Sequence, residues 1–254
     1  MGAGHVHRLY RHGHSVVHRL PAHVKLVTLV AFVVVVVATP REAFWAFGVY
    51  AALLAGVAVA ARVPALFILR RLVVEIPFVV FALLLPLIAT GPTVEVLGLS
   101  LSEEGLLAGW NILAKGTLGV VASILLAATT DARSLLLAMQ RLRVPPVLVE
   151  ITSFMVRYAD VITAEMRRMK IARESRGFTG GRRRQFGVLA TSAGALFIRS
   201  YERGERVHLA MLSRGYAGRL PVIEVQQAAA AQWAGAALLP LTALGVLVAA
   251  WMTL

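Results

Sequence analysis

The chain of 254 residues contains no cysteine, which excludes a disulfide-stapled secreted domain, an iron–sulfur protein and a thiolate zinc site. Any metal would have to be held by His, Asp or Glu. Charge is also scarce. Only 15% of residues are charged, against about 25% in soluble globular domains, and acids are the scarcer sign, with 13 Asp and Glu against 26 Lys and Arg. No G-x-x-x-x-G-K-[ST] occurs, so the polypeptide has no phosphate-cradling loop of its own for ATP. A nucleophile-elbow G-x-S-x-G, an H-E-x-x-H pair and a kinase-like set are missing too, and no catalytic residue is expected. What fills the chain instead is apolar: 58% of residues are hydrophobic, which assigns it to a membrane.

Crossing about 30 Å of hydrocarbon takes roughly 20 apolar residues in a helix. Five stretches approach that length: residues 24–39, 43–61, 72–89, 106–128 and 228–254. The first is short unless the Lys25 ammonium reaches back to the headgroups while its stem counts as apolar length. No small-residue cleavage site suits a secretory signal, so the first span is expected to stay in the mature protein.

Loop charge sets the expected orientation. Residues 1–25 carry Arg8, Arg11, Arg19 and Lys25 with no acid, and residues 62–71 carry three arginines with no acid, so both read as inside. The turn at Pro40–Glu42 is balanced and residues 91–105 hold Glu95, Glu103 and Glu104 with no base, so both read as outside. Residues 131–227 hold 17 bases against 8 acids and read as cytoplasmic. The expected fold is therefore all-α and polytopic, with the N-terminus inside and the C-terminus outside in the cell membrane. It divides into a His-rich segment (1–23), transmembrane helices 1–4 (24–128), a cytoplasmic helical region (129–227) and a fifth transmembrane helix (228–254).

In the cytoplasmic region the pattern turns amphipathic. Val147, Leu148, Ile151, Met155, Tyr158, Ile162, Met166 and Met169 recur at three- and four-residue steps, and Pro145 and Pro146 suit a helix start, predicting a helix over 146–176. Gly180 and Gly181 break it before a second helix predicted over 185–214. A repeat lies at the two helix ends: Ala172-x-x-Ser175-Arg176-Gly177-Phe178-x-Gly180 and Ala210-x-x-Ser213-Arg214-Gly215-Tyr216-x-Gly218. Each glycine suits a left-handed C′ position, each aromatic can close a hydrophobic cap, and each arginine suits the negative end of the dipole. One reading is two ordinary helix caps. The other is two docking points, since a guanidinium beside an exposed aromatic can fork onto a carboxylate in a partner's groove. The arginines otherwise flank membrane spans and form no nucleic-acid motif, so no nucleic acid is expected as partner.

Six of the seven histidines lie in the first 23 residues. His5, His7, His12 and His14 form two His-x-His pairs able to chelate a metal transiently, but that spacing does not align both rings on one helix face, and the favoured reading is a solvated tail. Within the spans, Glu75 is expected to snorkel from the cytoplasmic end of the third. Asn111 is costly there unless paired or near a wet surface, and Lys115 is expected to face a protein partner, a polar cavity or a carboxylate.

These features resemble the transmembrane T component of energy-coupling-factor transporters, the CbiQ family, over nearly the whole chain. The paired signature is the most specific mark; Leu20-Pro21 to Lys25-Leu26, Val144-Pro145, Arg157-Tyr158 and Arg199 to Glu205 are further similar phrases. The family's usual Ala-Arg-Gly has Ser175 and Ser213 in first place here, a small residue for a small residue. The resemblance implies a non-catalytic coupling subunit with no bound cofactor. It implies two cytoplasmic ABC-type ATPases carrying ATP and Mg, docked through Ser175, Arg176, Gly177, Ser213, Arg214 and Gly215. It also implies a CbiM-like S component carrying cobalt, with a small CbiN-like accessory subunit. Nickel or a vitamin is the alternative cargo, and a scaffold or metal-binding membrane protein that docks cytoplasmic partners without transport is the alternative of another class.

Overall fold

The computed structural model describes residues 10–11, 13–89, 92–96, 99–177, 182–218 and 228–253. These fall into two compact units, one holding the chain up to Ala138 together with the last helix, the other holding the described residues from Met139 to Gly218.

Apolar helices form at the five expected places in the first unit. A short α1 (Val16–Arg19) precedes α2 (Ala22–Ala38), and α3 (Phe44–Ala60) follows. The third apolar segment, Ala65–Ile88, is interrupted. A short α4 (Ala65–Leu69) lies where a loop was expected, a turn at Arg70 and Arg71 and a 3-10 turn (Leu72–Glu75) come next, and only then does α5 (Ile76–Ile88) begin, with Pro77 in its first turn, where no amide donor is needed. The strands β1 (Thr93–Val96) and β2 (Leu99–Ser102) pair antiparallel, Thr93 opposite Ser102, in what the sequence reads as a plain loop. This hairpin holds the only strands among the described residues. It leads into α6 (Glu103–Thr129), whose first turn has the Ser102 hydroxyl accepting from the Gly105 amide and two acids at the positive dipole end. The last helix of the unit, which will be α10, is Ala230–Met252.

Close packing here depends on small residues. A Cβ built on Gly105 would stand 2.7 Å from the Leu85 carbonyl oxygen, and one on Gly109 would stand 2.7 Å from that of Ala82. The four-residue spacing puts both glycines on one face of α6, and the backbones of α5 and α6 approach across it as in other G-x-x-x-G pairs. On α10 the buried residues are Ala236, Ala243 and Ala250, one every seventh position against α2 and α3. Between them lies a fully buried aromatic core in which Phe32 and Tyr50 meet edge to face at 5.9 Å. The Tyr50 hydroxyl lies 2.9 Å from that of Thr39, which donates on to the Val35 carbonyl.

The intramembrane polar residues sit differently from expectation. Lys25 does not reach to headgroups: it is 8% exposed, and its ammonium donates to the Thr129 carbonyl at 2.8 Å, the Thr130 hydroxyl at 3.3 Å and the His18 carbonyl at 3.4 Å. Glu75 does not snorkel either. It is buried and accepts from the Thr117 hydroxyl of α6 at 2.6 Å, because that bond satisfies it without solvent. Lys115 finds a backbone acceptor instead of a carboxylate, donating to the Val37 carbonyl at 2.8 Å in the last turn of α2.

Gly109→Val should destabilise the protein by roughly 1–3 kcal/mol through overpacking against Ala82. Gly119→Val, where a Cβ meets nothing within 4 Å, is the matched control. Thermal unfolding in detergent measures both, and equal losses would show that the α5–α6 approach is not the cause.

Candidate functional site

The second unit contains two long helices, preceded by α7 (Ala132–Arg141), which runs across the boundary between the units and starts with the Asp131 carboxylate accepting from the Ser134 amide. Helix α8 (Pro146–Glu174) begins at the proline pair and α9 (Arg182–Leu212) follows Gly180 and Gly181, which lie outside the described residues. Both agree with the predicted helices to within a turn.

Three polar ties join α8 to α9. The Tyr216 hydroxyl, just past α9, donates to the Glu150 carboxylate at 2.5 Å. Glu165 accepts from Arg199 at 2.7 Å and from Arg168 on its own helix at 2.6 Å. Arg173 donates to the Ser192 hydroxyl at 3.1 Å. As residue numbers rise on α8 they fall on α9, so the pair is antiparallel. The Arg168 hydrogen bond, reinforced by that of Arg199, holds the Glu165 carboxyl below the ordinary carboxylate range against its partial burial. The Glu150 carboxylate raises the Tyr216 phenol above its ordinary value, chiefly by accepting its hydrogen. Between the helices lies a groove of about 380 Å³ lined by Ile162, Met166, Met169, Leu189 and Leu196. The C-terminal half of the α8 stripe thus faces α9, whereas Val147, Leu148, Ile151 and Met155 remain exposed.

At the end of α9 the Gly215 amide donates to the Leu212 carbonyl and the Tyr216 amide to the Met211 carbonyl, both at 3.0 Å, with Gly215 at φ 82°. That is a Schellman ending with glycine at C′. At the end of α8 the Gly177 amide donates to the Glu174 carbonyl at 3.0 Å and Gly177 has φ 71°, the matching left-handed turn. Phe178, the expected cap of the first copy, lies outside the described residues. Ser175 and Ser213 turn their hydroxyls back onto carbonyls of the preceding turn, at Ile171 and Ala210. Arg176 and Arg214 are exposed, and neither guanidinium has a hydrogen-bond or ion-pair partner among the described residues. Because the helices are antiparallel, the two arginines stand at opposite ends of the pair, about 37 Å apart measured along α8 at 1.5 Å per residue.

Two residues that sequence reasoning did not select carry this geometry. Glu150 and Glu165 read as ordinary charges on the polar face of α8, and nothing in their spacing announces that each is claimed by α9. Arg199, by contrast, stands in one of the phrases marked in the sequence. Among the described residues no three His, Asp or Glu side chains gather to hold a metal. His14 is exposed, and His5, His7 and His12 lie outside the described residues.

A sequence model of the CbiQ family, described as cobalt transport protein, matches residues 13–223. The energy-coupling factor transporter transmembrane protein EcfT of Bacillus subtilis is 29% identical over 224 residues, covering 82% of this chain and 83% of its own. The cobalt transport protein CbiQ of Rhodobacter capsulatus is 28% identical over 178 residues, 70% of this chain and 71% of its own. An uncharacterised protein of Methanocaldococcus jannaschii is 32% identical over 122 residues, 48% of this chain, and there the chain spans only 46% of the relative's length.

Tyr216→Phe should remove the bond to Glu150 and leave the helix ending itself intact. Amide hydrogen exchange of the full chain is expected to quicken over residues 208–216 and stay unchanged in α2 and α6. Unaltered exchange at 208–216 would show that the tyrosine does not hold the end of α9.

Proposed function

Because the chain belongs to the CbiQ family of cobalt transport proteins, we propose that it is the non-catalytic transmembrane coupling component of an energy-coupling-factor importer, and that cobalt ions are the cargo. The observation that supports this reading best is the pair of helix endings that share a Ser-Arg-Gly sequence and a left-handed glycine. Arg176 and Arg214 are exposed, without a partner among the described residues, and carried at opposite ends of one braced helix pair. Two equal docking points at a fixed separation suit two equal partners. We assign to them two cytoplasmic ATP-binding-cassette subunits, each taking one arginine into a groove.

The mechanism follows from that assignment. ATP and Mg reside on the ATPases, since this chain has no phosphate loop, and their closure draws the two endings into a new relative position. A tie such as Arg199–Glu165–Arg168 resists bending of each helix, so displacement at one end is carried along the pair instead of being absorbed locally. The exposed stripe Val147, Leu148, Ile151 and Met155 offers an apolar face to the CbiM-like S component, which holds the cargo, reorients and releases it inward. A CbiN-like accessory subunit completes the cobalt form of the complex. The excess of arginine and lysine in residues 131–227 sets this region, and with it the N-terminus, in the cytoplasm and the C-terminus outside. The division into residues 1–23, 24–128, 129–227 and 228–254 then corresponds to tail, first membrane part, coupling region and last span.

Replacing both Arg176 and Arg214 by Glu places negative charge at the negative helix ends. At a desolvated groove the loss is about 2–5 kcal/mol, against roughly 1 kcal/mol or less for exposed caps. The double variant should accumulate in the membrane, fail to copurify either ATPase and transport no cobalt into cells. ATPases retained at wild-type level would refute the docking role.

Replacing His5, His7, His12 and His14 together by Asn, which removes both pairs, should leave assembly intact and change cobalt uptake little, because His-x-His spacing chelates weakly. Collapse of uptake with normal assembly would make the tail a metal relay.

A further inference from the structure

A half-open crevice of about 430 Å³ lies among α1, α2, α3, α6 and α10. Its wall is hydrocarbon almost throughout, formed by residues such as Val17, Leu29, Phe32, Leu125 and Leu239. Most of its few polar groups are already occupied, the Thr28 hydroxyl and the Gln232 amide nitrogen excepted. The Lys25 ammonium spends its three hydrogens on His18, Thr129 and Thr130, the Thr129 hydroxyl donates to the Leu125 carbonyl, and the Gln232 amide oxygen accepts from the Ala229 amide. Water entering would find few partners on a wall that is almost all hydrocarbon, and apolar cavities tend to stay dry. In a bilayer the fluid at this depth is acyl chain, which such a wall accepts.

The charge at the same end selects the headgroup. Helix α1 supplies Val16, Val17 and Leu20 to the crevice and carries the exposed Arg19. Arg11, a turn earlier in the chain, holds its guanidinium 5.4 Å above the Phe67 ring, and Arg71 holds its own 3.5 Å from the same ring. Besides the committed Lys25, residues 10–25 and 62–71 carry five arginines and no acid, so no carboxylate in either segment competes for a phosphate. Leu66 and Leu69 of α4 are exposed beside them, as suits a helix lying at the level where headgroups meet chains.

We propose that this crevice is a site for an anionic phospholipid, one acyl chain filling the cavity and the phosphate resting on the arginines of the N-terminal segment and of the turn that follows α4. Gly235 faces the cavity and a Cβ added there meets nothing within 4 Å, so a larger side chain can take the acyl chain's place without displacing protein.

The full chain, reconstituted in vesicles of equal parts phosphatidylglycerol and phosphatidylcholine and re-extracted in mild detergent, is weighed with its bound lipid by native mass spectrometry. The wild type should keep phosphatidylglycerol in preference to phosphatidylcholine. Gly235→Leu should keep roughly tenfold less of either. If Gly235→Leu fails to accumulate, Ala231→Leu on the same wall fills the same volume from one turn away. Arg11→Gln with Arg19→Gln should retain lipid but lose the preference for the anionic headgroup. A wild type that keeps neither lipid leaves the crevice to a partner's helix and overturns the proposal, as does a filled variant that binds as the wild type does. Equal retention of both headgroups by the wild type overturns the anionic assignment.

Discussion

Carbonyls at the end of a helix that stops inside hydrocarbon have no water to turn to, and each one left bare costs several kcal/mol by the usual transfer estimates. The membrane unit meets this constraint with a reciprocal arrangement. Lys25, near the start of α2, donates to the last carbonyl of α6, while Lys115, midway along α6, donates into the last turn of α2. The N-terminal segment adds a third cap, the Arg11 amide on the Ala128 carbonyl. Two antiparallel helices so joined cannot slide without baring carbonyls at both ends. α6 is therefore a fixed axis on which α5 packs through its glycines and α3 through its aromatic core.

The second unit is held by different means. Its helices share a narrow apolar groove and three polar ties, and one carboxylate, that of Glu165, takes two guanidiniums at once. Forked, partly covered pairs of this kind fix geometry more than they add stability. A pair of helices braced at a few points transmits displacement along its length while leaving its apolar flank free for another protein. The same economy shows at its ends: the left-handed position of each signature is a glycine, so the arginine before it keeps ordinary helical backbone and loses no freedom to strain. Elsewhere the chain places arginine itself in that position, Arg62 at φ 56° and Arg143 at φ 60°, where no docking is ascribed to it.

Much of this was legible in the residues. Length and apolarity pointed to five apolar helices, three of them long enough to cross a membrane, and the proline pair and the Arg-Gly repeats marked the limits of α8 and α9, because helix ends are local chemistry. The hairpin at Thr93–Ser102 was not legible, since two four-residue strands are too short to set a period. Nor were the partners of Lys25, Glu75 and Lys115, because a polar residue in a span states only that it needs satisfaction, and which helix provides it is decided by tertiary packing. Glu150 and Tyr216, 66 positions apart, illustrate the same limit in the second unit.

The lengths of the helices joined by the lysine caps have a consequence for the lipid around them. Helices α2 and α3, of 17 residues each, reach about 25 Å, whereas α6 beyond its two acids, from Gly105 to Thr129, reaches about 37 Å. With a hydrocarbon layer of about 30 Å, the unit is too thin on one side and too thick on the other. The bilayer must thin toward α2 and α3, or those helices must stand nearly upright while α6 leans, each ångström of mismatch costing a fraction of a kcal/mol. The protein therefore carries an elastic gradient in the surrounding membrane, and a neighbour seated against its short side experiences a shallower barrier of hydrocarbon than one seated against α6.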